Sequence, residues 1–336
     1  MLRVKTYAVI NQKGGVGKTT TVANVGAFAA GAGKKTCLID LDPQAHLTLH
    51  FGIDPGVPDK SIYEVLIDQS PIDSAAKEVS DNLFVVPSVI DLAAAEMELV
   101  STVGREQILA DSLSTSKLDC DLVMIDCPPS LGLLTLNALA AADGVLIPLQ
   151  PHFLALQGLG KLLETVTLVQ QRINPKLKVT GVIFCMYETS TRLAGEVAAD
   201  IESFLSSARG QHLPWSEAKI FSRRIRRNIK LAECPSHGKT IFDYDPQSIG
   251  AQDYVVLAEE LLQTVFGSSH ESNTTGQQKP PLAGQMGDQT DGSRDPAALP
   301  HEASVASEHP GSTSDGQATA RGSQEYPTTL DSQEGR

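Results

Sequence analysis

Short runs of apolar and β-branched residues alternate with longer helical stretches along the chain as far as about Phe266. Several short runs, such as VLIPL and LVMID, show no alternation of polar and apolar positions. Strands of that kind are buried on both faces, as in a parallel sheet covered by helices. The pattern predicts a doubly wound, mostly parallel α/β sheet with helices on both faces, whose ligand binds where the strand order reverses.

The alternation places each predicted element. Strands are predicted for YAVIN, TCLID, NLFVVP, DLVMID, GVLIPL and KVTGVIF, at residues 7–11, 36–40, 82–87, 121–126, 144–149 and 178–184. Helices are predicted over Thr19–Ala30, Asp91–Leu99, Arg105–Leu113, Leu133–Ala141, Leu154–Arg172, Thr191–Leu205 and Ser248–Phe266. This order favours parallel pairing through right-handed crossovers.

The composition changes abruptly at Ser268, beyond which Gly, Ser, Thr, Gln, Pro and Asp dominate. Only six of the last 69 residues have a sizeable apolar side chain. Burying so few cannot offset the entropy of ordering the chain, roughly 1–2 kcal/mol per residue. We predict one folded domain over residues 1–266 and a disordered, acidic, low-complexity tail over 267–336. A short linear binding motif around Tyr326–Leu330 is an alternative that the sequence does not exclude.

The chain of 336 residues has a formal net charge of −13. Four basic and ten acidic residues give the segment from Ser268 onward a charge of −6, which leaves −7 on the rest. A negative surface repels phosphate, so any contact with nucleic acid has to come from a local cationic patch.

Neither a membrane span nor a secretion signal is expected. Spanning a membrane takes about 18 or more consecutive apolar residues, and no such run occurs in the sequence. The apolar run at the amino terminus is too short for a signal sequence. The five cysteines are widely spaced with no C-x-x-C pair, which favours buried, reduced thiols. We expect a cytoplasmic protein.

A segment rich in glycine and lysine, NQKGGVGKTT at residues 11–20, joins the first predicted strand to the first predicted helix. It departs from the pattern G-x-x-x-x-G-K-[ST] where Gln12 replaces the first glycine, and it contains a second lysine, Lys13. Glycines let backbone N–H groups turn toward an anion, Lys18 can neutralise phosphate charge, and the Thr19 hydroxyl can bind Mg²⁺. The predicted nucleotide-binding residues are Lys13, Gly14, Gly15, Val16, Gly17, Lys18, Thr19 and Thr20.

Carboxylates stand at the ends of two predicted strands. In LVMID, four apolar residues lead to Asp126, which at the carboxyl edge of the sheet can help to hold Mg²⁺. In CLIDLDPQ, Asp40 and Asp42 flank Leu41, and either can orient water or magnesium. With the glycine-rich loop, these acids complete the groups that phosphoryl transfer requires.

Five spaced segments carry a resemblance to a known family. They read NQKGGVGKTTT, LIDLDPQ, VMIDCPPSLG, PLQPHFLALQGL and RRNIKLAECPSHGKTIFDYDPQSIGAQDY. In this order they resemble the ParA/Soj family of chromosome- and plasmid-partitioning ATPases, within the deviant Walker A class of P-loop proteins. The resemblance covers essentially Thr6 to Phe266, and it implies a Mg²⁺-dependent ATPase that binds ATP.

The resemblance implies a role for each matching residue around the phosphates. Lys18 is the Walker lysine, Thr19 binds Mg²⁺, and Asp126 is the Walker B carboxylate that organises the metal. Asp42 positions or activates the attacking water, and Asp40 supports it. These roles agree with the physics of phosphoryl transfer, which depends on positioning and charge neutralisation.

The resemblance also implies a homodimer that encloses ATP between its protomers. Lys13 matches the signature lysine that reaches the partner's phosphates. Gly14 matches a glycine whose bulkier replacement crowds the dimer face. A ParB-type centromere-binding protein is the implied partner that stimulates hydrolysis.

A cationic segment, RRIRRNIK at residues 223–230, places five positive charges within eight positions. A solvated loop is one explanation. By resemblance, surface cations here bind double-stranded DNA without sequence preference through phosphate contacts, and the protein is associated with the nucleoid. The candidate DNA-binding residues are Arg192, Arg223, Arg224, Arg226, Arg227 and Lys230.

The sequence departs from the family near these candidates. Arg226 stands where the family commonly has Pro, while Glu188 and Ser190 stand where it usually has Asp and Arg. Arg192 can substitute for the missing cation. For the nucleotide base, Met186-Tyr187 and the loop 234–238 are candidates, and packing is the alternative explanation for both.

Four alternative functions are weighed against partitioning. A related ATPase can position another cargo on the nucleoid, which the sequence does not exclude. Division-site placement of the MinD type requires a basic amphipathic helix at the carboxyl terminus, which the tail lacks. An iron–sulfur redox role is disfavoured because Cys127 is better suited to packing, and a non-enzymatic DNA scaffold because the phosphate-binding groups are present.

Overall fold

The computed structural model of the chain describes residues 4–56 and 59–267. The strands in this part of the chain are β1 (Lys5–Val9), β2 (Thr36–Asp40), β3 (Lys77–Ser80), β4 (Leu83–Val86), β5 (Leu122–Asp126), β6 (Gly144–Leu149), β7 (Lys178–Phe184) and β8 (Lys219–Ile220). They form one sheet in the order β3-β4-β2-β5-β1-β6-β7-β8. Neighbouring strands are parallel except β3 and β4, which pair antiparallel.

Helices cover both faces of this sheet. They are α1 (Lys18–Gly31), α2 (His46–His50), α3 (Ile62–Ile67), α4 (Leu92–Glu98), α5 (Ile108–Ser114), α6 (Leu133–Ala141), α7 (Ala155–Arg172), α8 (Arg192–Ser207), α9 (Ile229–Glu233), α10 (Ile241–Tyr244) and α11 (Ile249–Phe266). Single 3₁₀ turns occur at Ile72–Ser74, Leu99–Ser101 and Cys234–His237. None of the helices in the described ranges is both long and apolar enough to cross a membrane.

The hydrophobic core is divided by the sheet into two layers. Successive residues of a strand point to opposite faces, so Val123 and Ile125 of β5 pack in the layer of α3 to α8. Leu122 and Met124 of the same strand pack in the layer of α1 and α11. This explains why the strand has no polar positions, as the sequence predicts.

Strand β1 lies between β5 and β6, where the order of the strands reverses. Its last residue, Val9, pairs with Asp126 of β5, and Asp126 also pairs with Asp40 of β2. The carboxyl ends of three adjacent strands therefore meet at the edge where open α/β sheets bind their ligands.

The predicted fold class is confirmed, and the structure corrects several bounds. The first strand is Lys5–Val9 and not residues 7–11, because the chain turns into the loop after Ile10. Helix α5 begins at Ile108 and not at Arg105, because Gly104 adopts a φ of +72° and opens a turn. The short elements β3, β8, α2, α3, α9 and α10 were not predicted. The predicted disordered tail lies, from residue 268 on, outside the described residues.

Candidate nucleotide-binding site and cationic segment

The glycine-rich loop lies between β1 and the amino terminus of α1, as the sequence predicts. Gly15 and Gly17 have φ angles of +68° and +92°, a left-handed conformation that side chains disfavour. Gly17 is the N-cap of α1 and has no side chain to satisfy the first backbone N–H groups of the helix. Those free donors and the helix dipole make this terminus a site for phosphate.

Lys18 lies inside the site and not on the surface, since only 7% of it is exposed. Its Nζ donates a hydrogen bond of 3.4 Å to the backbone carbonyl of Lys13. Burial lowers the pKa of Lys18, and the nearby carboxylates of Asp126 and Asp42 oppose that shift. A phosphate at the loop would stabilise the charged ammonium in the same way.

Asp40 is a fully buried carboxylate whose oxygens are occupied by hydrogen bonds from the protein. It accepts from the Thr48 N–H at 2.8 Å, from the Thr48 hydroxyl at 2.7 Å and from the Asp42 N–H at 3.2 Å. Burial raises the pKa of Asp40 to about 6, although the Thr48 bonds lower it. This arrangement fits a structural role that holds the start of the Asp42 turn.

Asp126 is equally buried, but neither of its oxygens has a well-formed hydrogen bond within the described ranges. Burial and then the charge of Asp40 raise its pKa well above the ordinary value, while the Thr19 hydroxyl and Lys18 lower it. Two carboxylate oxygens that lack a well-formed hydrogen bond, together with the Thr19 hydroxyl, are the kind of oxygen ligands that Mg²⁺ prefers. The residues present therefore fit a magnesium ion held by Asp126 and Thr19.

A cavity of about 600 Å³ opens beside the loop. Its lining includes the loop residues Gly14 to Thr20, except the buried Val16, together with Asp42. It also includes a mainly apolar set: Met186, Ile225, Ile229, Leu231, Ala232, Pro235 and Tyr254. A nucleotide combines the same two kinds of chemistry, because it has charged phosphates and a flat base.

The structure brings one residue from each candidate segment for base binding to the cavity. These are Met186 and Pro235. Tyr187 does not line the cavity and instead lies under the guanidinium of Arg224, with 4.4 Å between Arg224 Cζ and the ring centre. Sequence reasoning missed Ile225 and Leu231, because an apolar residue within or next to a cationic segment carries no local signal of a ligand.

Lys13 is exposed at the surface of the loop. Its Nζ lies 3.4 Å from Oε1 of Gln150, in the loop after β6, and Lys13 is not part of the cavity lining. A Cβ added to the neighbouring Gly14 would meet no atom within 4 Å. Lys13 therefore lies outside the cavity, whereas Gly14 lines it and has open space beside it.

The cationic segment splits into arginines bound to a buried acid and cations at the surface. Arg223 and Arg226 both bind Asp253 of α11, a fully buried carboxylate. Arg224 stacks on Tyr187 and donates a hydrogen bond of 2.6 Å to its hydroxyl. These contacts show an ordered segment rather than a solvated loop.

The remaining candidate cations each have an acidic neighbour on the surface. Nitrogen–oxygen distances are 3.5 Å for Arg227–Glu188, 3.0 Å for Lys230–Glu233 and 2.7 Å for Arg192–Glu196. Exposed pairs of this kind contribute only about 0–1 kcal/mol, so a phosphate can displace the acid. Arg227 and Arg226 also line the cavity, which brings the segment next to the nucleotide site.

Three comparisons place this geometry among known proteins. A protein-family profile described as an AAA domain matches residues 4–179. The sporulation initiation inhibitor protein Soj of Bacillus subtilis strain 168 is 43% identical over 258 residues, which are 76% of this chain and 98% of that protein. The chromosome-partitioning ATPase Soj of Treponema pallidum strain Nichols is 44% identical over 259 residues, covering 77% of this chain and 97% of that protein.

A solved structure gives the same picture of the fold. The chain is similar to cobyrinic acid a,c-diamide synthase from Mycobacterium smegmatis, whose crystal structure contains bound ADP and magnesium. The two are 36% identical with a TM-score of 0.66, and the match covers 82% of this chain and all of that one.

Proposed function

Because the chain belongs to the ParA/Soj family of chromosome-partitioning ATPases, we propose that it couples ATP hydrolysis to reversible binding of DNA. It is an ATP hydrolase of chromosome partitioning, with ATP and Mg²⁺ as cofactors. The observation that carries the proposal is one cavity whose lining combines a glycine loop, the buried Lys18 and Asp42. The buried carboxylate of Asp126 does not line this cavity, but it interacts with Thr19 and Lys18, which do.

The proposed roles follow from burial and charge. Lys18 and the N–H groups at the start of α1 bind the phosphates, and Thr19 and Asp126 hold Mg²⁺, which neutralises charge on the phosphates. Asp42 lines the cavity and is 8% exposed, so its carboxylate can orient the attacking water. Asp40 is saturated by Thr48 and Asp42, so it stabilises the turn that carries Asp42.

Exposed side chains and open space at the carboxyl edge of the sheet support dimerisation with ATP. Lys13 lies outside its own cavity, and the space beside Gly14 is open. Phe153 and Leu154, which follow the Gln150 loop, are 83% and 56% exposed. Exposed apolar side chains around a nucleotide site are expected where a second copy covers it.

The proposed DNA-binding surface consists of the exposed cations Arg227, Lys230 and Arg192. A protein with a net charge of −13 requires a concentrated patch for this purpose, and pairing two protomers doubles that patch. DNA affinity would then depend on ATP. The place of action would be the nucleoid, in the cytoplasm.

A ParB-type partner that stimulates hydrolysis is the expected means of releasing the DNA. A basic segment of such a partner would suit an acidic ATPase surface. A different cargo on the nucleoid would use the same ATPase cycle, and stimulation of hydrolysis by a purified ParB-type protein would distinguish the two.

The function is tested by measuring Mg²⁺-dependent ATP hydrolysis and ATP binding in Lys18→Ala and Asp42→Ala. Lys18→Ala should lose both, because it removes the cation that neutralises phosphate. Asp42→Ala should bind ATP and fail to hydrolyse it. Lys161→Ala, an exposed lysine of α7, is the control and should match the wild type. Hydrolysis that survives in both site variants would overturn the assignment.

A further inference from the structure

Helix α11 holds the cationic segment through one buried acid, Asp253. Its carboxylate accepts hydrogen bonds from Arg223 Nε at 2.8 Å, from Arg226 Nε at 3.0 Å and from Arg226 Nη2 at 2.6 Å. It also accepts from the backbone N–H of Arg226 at 3.0 Å. A single side chain thus binds a backbone N–H and two guanidinium groups of the segment, whose backbone also bonds to Phe184 and Tyr187 through Ile225.

The segment that Asp253 holds forms one wall of the nucleotide cavity. Ile225, Arg226 and Arg227 all line it. Arg227, the next residue along, is 77% exposed at its side chain and belongs to the proposed DNA-binding surface. The nucleotide site and the DNA-binding surface therefore share one short piece of backbone.

The residue after Asp253 connects α11 to the phosphate loop. Tyr254 is 1% exposed, lines the cavity, and its hydroxyl lies 3.2 Å from the Thr21 hydroxyl in the first turn of α1. Two neighbouring residues of α11 thus contact the cationic segment and the helix that follows the phosphate loop.

We propose that Asp253 is a positioning residue, which holds the segment 223–227 as a wall of the nucleotide cavity and thereby links the bound nucleotide to the DNA-binding surface. This extends the proposed function and rests on its DNA-binding part. Asp253 touches neither nucleotide nor DNA in this scheme and acts through Arg223 and Arg226.

The charge of Asp253 has a second consequence for DNA binding. Burial raises the pKa of Asp253, but the hydrogen bonds from Arg226 and the charges of both arginines outweigh burial and hold it below the ordinary value. The ionised carboxylate offsets positive charge in the segment while the contacts are intact. Losing them frees two arginines for phosphate and weakens the dependence of DNA binding on nucleotide.

The test uses Asp253→Asn in the full-length protein, which keeps the shape of the side chain and removes its charge. Glu260→Gln is the matched control. Glu260 lies two turns further along α11 and accepts hydrogen bonds from the N–H and hydroxyl of Ser222, but it does not line the cavity. Arg226→Gln breaks the same contact from a side chain that is 36% exposed, and it carries the test if Asp253→Asn does not fold.

Two measurements are made on each variant: KM and kcat for ATP without DNA, and DNA affinity with ATP against ADP. Asp253→Asn and Arg226→Gln should raise KM for ATP by about fivefold or more with a smaller change in kcat. Asp253→Asn should also reduce the ratio of DNA affinities by about fivefold or more, mainly by increasing binding in the ADP state. Glu260→Gln should show neither change.

The outcomes separate this proposal from the proposed function. If KM for ATP in both Asp253→Asn and Arg226→Gln equals that of Glu260→Gln, the positioning role is overturned. If the wild type binds DNA and Asp253→Asn leaves the ratio of DNA affinities with ATP and ADP unchanged, the link between Asp253 and DNA binding is overturned. Failure of the wild type to bind DNA in any nucleotide state refutes the proposed DNA function, and KM alone then decides whether Asp253 positions the wall.

Discussion

Asp40 and Asp126 pair directly across β2 and β5, and neither carboxylate is exposed to solvent. Their surroundings differ although their positions are equivalent. Asp40 is saturated by Thr48 and by the Asp42 N–H, whereas Asp126 has no well-formed hydrogen bond within the described part of the chain. This difference fits a structural role for Asp40 and the proposed role of Asp126 in holding magnesium.

The first prediction compares Asp126→Asn with Asp40→Asn. Asp126→Asn should lose Mg²⁺-dependent hydrolysis by about 100-fold or more, because transition-state charge is no longer neutralised through the metal. Asp40→Asn should lower the free energy of unfolding by about 1–3 kcal/mol, because it disrupts the bonds from Thr48. Magnesium titrations of hydrolysis and denaturant unfolding measure the two effects. An equal loss of Mg²⁺ dependence in both variants would contradict the division of roles.

The second prediction concerns the open face of the phosphate loop. Gly14→Val should fold, since an added Cβ meets no atom within 4 Å in the protomer, and ATP binding is measured separately because Gly14 lines the nucleotide cavity. It should fail to dimerise with ATP, because the side chain occupies space that the second copy needs. Sedimentation velocity with ATP measures this, with the exposed Gly195→Val of α8 as control. A Gly14→Val protein that dimerises like the wild type would exclude this face as the interface.

The third prediction is a loss of stability in mild acid that depends on His50. The side chain is fully buried, and burial lowers its pKa to about 4. Between the unfolded pKa of about 6.5 and the folded value, the unfolded chain binds a proton that the native protein does not, so stability falls as the pH falls. His50→Leu should reduce the stability lost between pH 7 and pH 5 by about 2 kcal/mol.

Denaturant unfolding at the two pH values checks this effect. His46→Leu is the matched control, because His46 is exposed in the same helix. If both variants lose as much stability as the wild type, His50 is not the source of the acid sensitivity.

The sequence signals of the proposed phosphate site are local. The loop, its lysine and its helix are consecutive residues, and Asp126 ends a strand that is recognisable by its apolar residues. Hydrophobic pattern alone also predicts the central strands, which are buried at every position, and the long helices, which each bury one face. Short elements such as β8 escape this reasoning because tertiary contacts decide them.

The contacts of the individual cations could not be predicted from the sequence, because they depend on a residue that is distant in the chain. Asp253 lies 27 residues beyond Arg226 in the chain, and only folding brings α11 beside the segment. A run of five cations looks uniform in the sequence. In the structure, two of them bind a buried acid, Arg224 stacks on Tyr187, and Arg227 and Lys230 have acidic neighbours at the surface.

The final prediction concerns Arg227 and Lys230, whose surface ion pairs are weak enough for phosphate to displace. The variant Arg227→Ala/Lys230→Ala removes both, and Lys161→Ala/Lys176→Ala removes two exposed lysines elsewhere as the control. Each lost phosphate contact lowers the salt dependence of DNA binding by about 0.9 in log–log slope. In a dimer the site variant should therefore lose up to about 3–4 in slope, while the control retains the wild-type value.

The most direct measurement is the affinity of the protein for random-sequence double-stranded DNA over a range of salt concentrations, with ATP and with ADP. The account predicts tight, steeply salt-dependent binding with ATP, weak binding with ADP, and a marked loss in Arg227→Ala/Lys230→Ala. Equal binding with ATP and ADP, or binding unchanged by that double substitution, would contradict it.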